Sequence, residues 1–133
     1  MLWNSRLETG VRSIDDQHKE LFRIVESALK IGKQENNKES LLESMEFLKR
    51  YVELHFTDEE RLQKESNYPK ASIHKMMHYK YMRDLQALIN QYEQEGDTTS
   101  TMKSINNDVV VLLIKHILVH DKEFSVYYKE HIL

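Results

Sequence analysis

Four stretches of this chain repeat apolar residues at alternating intervals of three and four, the spacing of a helix face turned towards a core. The second stretch shows the pattern most clearly, in the series Leu41, Met45, Leu48, Val52, His55, Glu59 and Leu62. A chain with such stripes is expected to fold into packed helices whose core includes polar side chains. Histidine and carboxylate are costly to bury without a partner. The pattern therefore predicts a core that contains a neutralising cation.

Helix-breaking residues are scarce and stand between the stripes. The 133 residues include one proline and three glycines, and Lys, Glu, Leu and Met are common. Polar or turn-forming joints divide the chain into four predicted helices, residues 16–34, 38–66, 70–95 and 98–120. Short joints make successive helices antiparallel. We therefore predict an all-α fold, an antiparallel up-and-down four-helix bundle with an N-terminal arm and a short C-terminal tail or helix.

Composition limits the classes of function. A chain of 133 residues that is 40% hydrophobic can build one core, so we expect residues 1–133 to form a single domain. The net charge of -3, with interspersed charges, disfavours nucleic acid and anionic membrane surfaces as partners. The absence of cysteine excludes disulfides, thiolate metal sites and iron–sulfur clusters. Without a signal peptide or a membrane-spanning run, we expect a cytoplasmic, monomeric protein.

Histidines lie on the core-facing stripe of every predicted helix: His18 on the first, His55 on the second, His74 and His78 on the third, and His116 on the fourth. The i, i+4 spacing of His74 and His78 places both on one face. In an antiparallel bundle, the starts of the first and third helices are level with the ends of the second and fourth. The imidazoles then converge with Glu59 at one end of the bundle, which predicts a buried metal site.

Spacing alone does not identify the second candidate ligand on the fourth helix. The predicted stripe of this helix is Met102, Ile105, Val109, Leu112 and His116. On an ideal α-helix, His120 is nearly in line with His116, whereas Asp121 is rotated from it by about 140°. Spacing alone favours His120, unless the helix ends or distorts near that point.

The candidate ligands belong to longer motifs that occur in order along the chain. These are Trp3, the runs GVRSIDDQH at residues 10–18 and HFTDEE at 55–60, Tyr68-Pro69, the pair His74 and His78, and HILVHD at 116–121. Over nearly the whole chain they resemble the motifs of the hemerythrins, in particular the single-domain bacterial hemerythrin-like proteins. The resemblance selects Asp121 over His120. We accordingly interpret His120 and His131 as surface residues.

What the resemblance implies is a centre of two non-haem iron ions, Fe2+ or Fe3+, with a bridging oxo or hydroxo group. The implied ligands of one iron are His74, His78 and His116. Those of the other are His18 and His55. Glu59 and Asp121 are the implied bridges. The second iron keeps an open position at which dioxygen binds reversibly, and nitric oxide, azide or other small anions are further candidate ligands.

Ligand chemistry supports iron only in part, since imidazole and carboxylate also suit zinc, manganese and copper. Seven ligands are too many for one tetrahedral ion and suit two octahedral ions that share bridges. The principal hypothesis is a non-enzymatic protein that binds dioxygen for storage, delivery or scavenging. The alternatives are a di-iron enzyme, acting as oxidase, peroxidase or nitric oxide scavenger, and an iron-handling module.

Overall fold

The computed structural model describes residues 2–133, which form four helices and no strand. Helix α1 comprises Arg12–Ile31, α2 comprises Lys38–Glu65 and α3 comprises Ala71–Glu95. Helix α4 runs without a break over residues 98–131. It is α-helical at Thr98–Ser104, Val111–His116 and Lys122–His131, and π-helical at Ile105–Val110 and Ile117–Asp121. The predicted all-α four-helix bundle is confirmed.

The N-terminal arm includes one 3-10 turn, Ser5–Leu7, and leads into a helix that starts earlier than predicted. Asp15 lies in the first turn of α1 and accepts hydrogen bonds from the backbone N–H groups of Thr9 and Gly10, at 2.8 and 3.1 Å. These bonds hold the arm against the first turn of α1, which begins at Arg12 rather than at residue 16. It also ends earlier, at Ile31.

The joint between α3 and α4 has the stop and cap that the sequence predicts. Gly96 adopts the left-handed conformation, with φ of 64°, directly after α3. Asp97 then caps α4 by accepting a hydrogen bond from the Ser100 N–H at 3.0 Å. This tight connection turns α4 back along α3.

The C-terminal tail is helical and continues α4 to His131. It is anchored by Phe124, which is fully buried in a small cluster with Val11, Ile14 and Tyr68. This cluster joins the start of α1 to the joint between α2 and α3, at the same end of the bundle as the histidines. No helix within residues 2–133 is both long enough and apolar enough to cross a membrane.

The main core lies between the four helices, with α2 packed against both α1 and α3. The predicted stripe of α4 is wrong at one position, because Leu112 is 46% exposed whereas Leu113 is buried. The π-turn at Ile105–Val110 explains the shift: Val109 and Val110 are both buried, so the inward face moves on by one residue.

Candidate metal centre

One end of the bundle holds two overlapping groups of ligand-type side chains. The three-histidine group comprises Glu59, His74, His78, His116 and Asp121. The two-histidine group comprises His18, His55, Glu59 and Asp121. Within each group, one candidate ligand atom of every residue lies within 4.8 Å of all the others. The structure thus brings together all seven residues selected from the sequence, in an arrangement able to hold metal; that they bind iron stays a prediction.

Asp121 reaches both groups with different oxygens. Its Oδ1 lies 3.0 Å from His74 Nε2 and 3.1 Å from His116 Nε2, in the three-histidine group. Its Oδ2 lies 2.9 Å from His18 Nε2, in the two-histidine group. A carboxylate in this position is placed to bridge two cations.

Glu59 shows the same division between its two oxygens. Its Oε1 lies 2.8 Å from His74 Nε2 and 3.3 Å from His78 Nε2, whereas its Oε2 faces His55 Nε2 at 3.9 Å. The two imidazoles of the two-histidine group also converge, since His18 Nε2 and His55 Nε2 are 3.1 Å apart. All five imidazoles therefore direct Nε2 towards the shared carboxylates.

Three of the four carboxylate oxygens at the centre have no hydrogen-bond partner. This observation tests whether the residues fit a metal ion. Both oxygens of Glu59 and Oδ2 of Asp121 are buried without a hydrogen bond, although imidazole nitrogens lie nearby. Neither carboxylate pairs with a lysine or arginine among residues 2–133. Buried, unpaired carboxylates cost several kcal/mol. Cations placed between the inward-facing Nε2 and carboxylate atoms would offset this cost, so the residues fit a metal centre.

Three imidazoles are held from behind at Nδ1. Gln17 Oε1 lies 2.7 Å from the Nδ1 of His55, and Glu60 Oε2 lies 2.9 Å from that of His78. The Nε2 of Gln63 lies 2.8 Å from the Nδ1 of His74. At His55 and His78, the oxygen acceptor keeps the proton on Nδ1 and leaves the Nε2 lone pair free for a metal.

Nearness in the sequence does not identify the imidazole that each of these partners supports. Gln17 stands out as the neighbour of His18, although it in fact supports His55. Glu60 is easily read as part of a solvated acidic run. Gln63 was missed because Leu62 was assigned to the stripe of α2, whereas Gln63 is fully buried and Leu62 is half-buried. The spacing could have identified Gln63, since it is four residues after Glu59 and therefore on the same face of α2.

The π-turn at Ile117–Asp121 changes which residue of α4 lies beside His116. A π-turn spans five residues for each backbone hydrogen bond instead of four. Residue i+5 therefore takes roughly the place that i+4 has in an α-helix, and Asp121 joins His116. His120 belongs to neither ligand group and is half-buried, with its ring centroid 5.4 Å from that of His116. The interpretation of His131 as exposed agrees with the structure.

The two groups differ in how they bind protons. Burial, reinforced by repulsion from His18, lowers the pKa of His55 to about 4. Burial also opposes the charge on His74, but the hydrogen bond to Asp121 and the adjacent Glu59 carboxylate outweigh it and raise its pKa to about 9. Burial alone would raise the pKa of Asp121, yet the His116 charge and the surrounding imidazoles lower it well below its usual range. The carboxylates are therefore charged at neutral pH, as metal ligands require.

Comparison with known proteins places this centre in a family. The model of the hemerythrin HHE cation binding domain matches residues 9–126, which include all seven residues. Bacteriohemerythrin of Clostridium acetobutylicum is 27% identical over 126 residues, 92% of this chain and 97% of that protein. Bacteriohemerythrin of Pseudomonas aeruginosa is 29% identical over 107 residues, 79% of this chain and 68% of that protein. Myohemerythrin of Theromyzon tessulatum is 28% identical over 94 residues, 71% of this chain and 72% of that protein. The chain belongs to the hemerythrin HHE cation-binding domain family.

Proposed function

We propose that this chain binds dioxygen reversibly at a di-iron centre whose ligands are the seven converging residues. The observation that carries the proposal is the unequal division of histidines around two shared carboxylates. Two ions bridged by Glu59 and Asp121 would have three imidazoles on one side and two on the other. The names of the relatives, bacteriohemerythrin and myohemerythrin, support the same function.

The ligand count leaves one position for a small molecule. An octahedral ion in the three-histidine group would have its six positions filled by three imidazoles, two carboxylate oxygens and a solvent-derived bridge. With the same bridge and carboxylates, an ion in the two-histidine group would be one ligand short. A ferrous pair held by the two groups would supply the two electrons needed for reversible binding of dioxygen.

Burial restricts what can reach that position. His18 and His55 are 0 and 1% exposed, and Glu59 and Asp121 are each 1% exposed. Bulk water and large organic substrates are therefore kept from the two-histidine group, whereas a diatomic molecule needs only small fluctuations of the packing. This property favours binding of dioxygen over oxidation of a bulky substrate.

The residues behind His55 hold its imidazole in place. Gln17 accepts from His55 Nδ1, and the Gln17 amide donates to Asp58 Oδ2 at 2.7 Å. This chain of contacts fixes both the ring and the proton on Nδ1. A centre with five neutral imidazoles and two carboxylates also stabilises highly oxidised iron less than a carboxylate-rich one. That balance favours reversible binding over cleavage of the O–O bond.

The test is anaerobic purification with an iron assay, followed by repeated exposure to dioxygen and argon with a visible spectrum at each step. We expect about two irons per chain and a spectrum that appears and disappears over many cycles. Sustained consumption of dioxygen with a reductant would indicate an oxidase instead. One metal per chain, or zinc in place of iron, would favour an iron-handling or structural role.

A further inference from the structure

A cavity of about 390 Å3 opens between α3 and α4, beside the three-histidine group. Its walls are mostly apolar and include Met77, Tyr81, Leu85, Leu88, Val109 and Leu112. His116 also lines it, and the His116 side chain is 12% exposed, whereas those of the other four histidines in the two ligand groups are at most 2% exposed. The volume lies within the range of sites for small organic molecules.

The shape of the cavity follows from the helix geometry around it. The π-turn at Ile105–Val110 widens α4 where it faces α3. Tyr81 extends across the gap, and its hydroxyl donates to the carbonyl oxygen of Val109 at 2.8 Å. This bond fixes Tyr81 in the cavity wall, and Leu112, also in the lining, is half exposed.

Charged residues at the cavity divide between its two ends. Because α3 and α4 are antiparallel, Lys80 and Lys115 lie towards His116, and Asp84 and Asp108 lie towards Leu88. Neither lysine forms an ion pair or a side-chain hydrogen bond with any residue in the range 2–133. An anionic head is therefore attracted to the end near His116 and repelled at the other. The cavity suits one carboxylate attached to an apolar tail.

We propose that this cavity binds a soluble medium-chain monocarboxylate. The carboxylate lies at Lys80 and Lys115, and the alkyl chain lies along Leu85, Leu88 and Leu112. Apolar walls remove the chain from water, and the lysines gain the anionic partner that the chain itself does not supply. The proposal does not depend on dioxygen binding, since no part of the cavity requires the open position at the two-histidine group.

The ligand's chemistry is tested by calorimetric titration of the iron-loaded protein with octanoate and three matched compounds. Octanoate should bind saturably, and hexanoate about tenfold more weakly because it buries two fewer methylenes. Octanedioate and octylammonium should bind more weakly than octanoate, because one places a second anion near Asp84 and Asp108 and the other places a cation near the lysines. No saturable binding of octanoate, or equal binding of octylammonium, would overturn the proposal.

The location is tested with paired variants of exposed residues. Leu112→Trp fills the cavity and should abolish octanoate binding, whereas Val111→Trp, at a 54% exposed position outside the lining, should not. The double variant Lys80→Glu, Lys115→Glu should weaken binding about tenfold or more, and Lys103→Glu should leave it unchanged. Unchanged binding in Leu112→Trp, or equal losses within either pair, would contradict the placement.

The orientation is tested by NMR of octanoate labelled with 13C at the carboxylate or at the terminal methyl. Iron near His116 should broaden the carboxylate signal more than the methyl signal, while zinc-loaded protein serves as the diamagnetic control. Greater broadening of the methyl signal would reverse the orientation and overturn the assignment of the lysines. Binding itself is measured without reference to dioxygen, so failure here is separate from failure of the proposed function.

Discussion

The two ligand groups share Glu59 and Asp121 but differ in their surroundings. The three-histidine group, which has the fuller ligand set, borders a cavity through His116. The two-histidine group, which is one imidazole short, is sealed from solvent. The difference teaches that the group beside the cavity is not the group that lacks a ligand. One side is suited to anchoring an ion, and the other to admitting only the smallest ligands.

The largest effect is expected from removing a residue that belongs to both groups. Asp121→Ala deletes a carboxylate with one oxygen at each group, so iron content should fall from about two per chain to nearly none. His120→Ala, at the adjacent position outside both groups, should retain about two. Iron analysis after desalting distinguishes the two variants. Loss of iron in His120→Ala with retention in Asp121→Ala would reverse the ligand assignment.

The second-largest effect is expected from removing iron, which should lower the stability of the fold. Without cations, the buried carboxylates of Glu59 and Asp121 keep oxygens that have no hydrogen-bond partner. The iron-free protein should therefore lose several kcal/mol of unfolding free energy, lowering Tm by about 10 °C or more. Calorimetry before and after chelation, with iron added back as the control, measures the change. An iron-free protein that melts as high as the loaded one would contradict the account.

A substitution that affects only one ligand group should remove only one metal ion. His55→Ala leaves the three-histidine group complete, so about one iron should remain per chain and the reversible response to dioxygen should disappear. His78→Ala removes a ligand from the fuller group and should weaken the ion on that side first. Iron content and the dioxygen-dependent spectrum give the comparison. Two retained irons with normal cycling in His55→Ala would exclude the two-histidine group as the binding position.

A smaller effect should appear in the pH dependence of metal binding. In the iron-free protein, burial opposes protonation of His74, but its carboxylate partners raise its pKa to about 9, whereas that of His55 is lowered to about 4. The first iron must displace a proton from His74 but none from His55 at neutral pH. Anaerobic affinity for Fe2+ should therefore rise about tenfold per pH unit from pH 7 to 8.5 and level off above about 9.

The pH dependence of stability that is linked to His74 runs opposite to that of metal affinity. Its raised pKa stabilises the iron-free protein fully below pH 6.5, and this contribution is lost as the pH rises through about 9. Metal affinity and iron-free stability should therefore change in opposite directions over this interval. Metal affinity that stays constant between pH 7 and 8.5 would remove the proposed proton difference between the groups.

The smallest effect is expected from deleting Val119, an exposed residue within the π-turn. Deletion should convert the π-turn to an α-turn and leave His116 and the aspartate four residues apart, on one face. Iron content should stay near two per chain. Loss of iron in the Val119 deletion would show that the site needs the π-turn itself.

The sequence predicted what regular periodicity can predict. The stripes of α1, α2 and α3 led to five of the converging residues, because a 3.6-residue period holds along those helices. In α4, two π-turns break the period, so Leu112 was placed in the core in error and Asp121 needed the family resemblance. Contacts such as Tyr81 with Val109 and Gln63 with His74 depend on tertiary packing between helices. Spacing along one helix does not encode them.

The central claim is that the seven residues hold two inequivalent irons in one shared centre. Mössbauer spectroscopy of 57Fe-loaded protein, recorded before and after exposure to dioxygen, tests it directly. The account predicts two iron signals of equal area, changes in them that reverse when dioxygen is removed, and magnetic coupling in the oxidised state. A single mononuclear signal, or two uncoupled irons that do not respond to dioxygen, would contradict it.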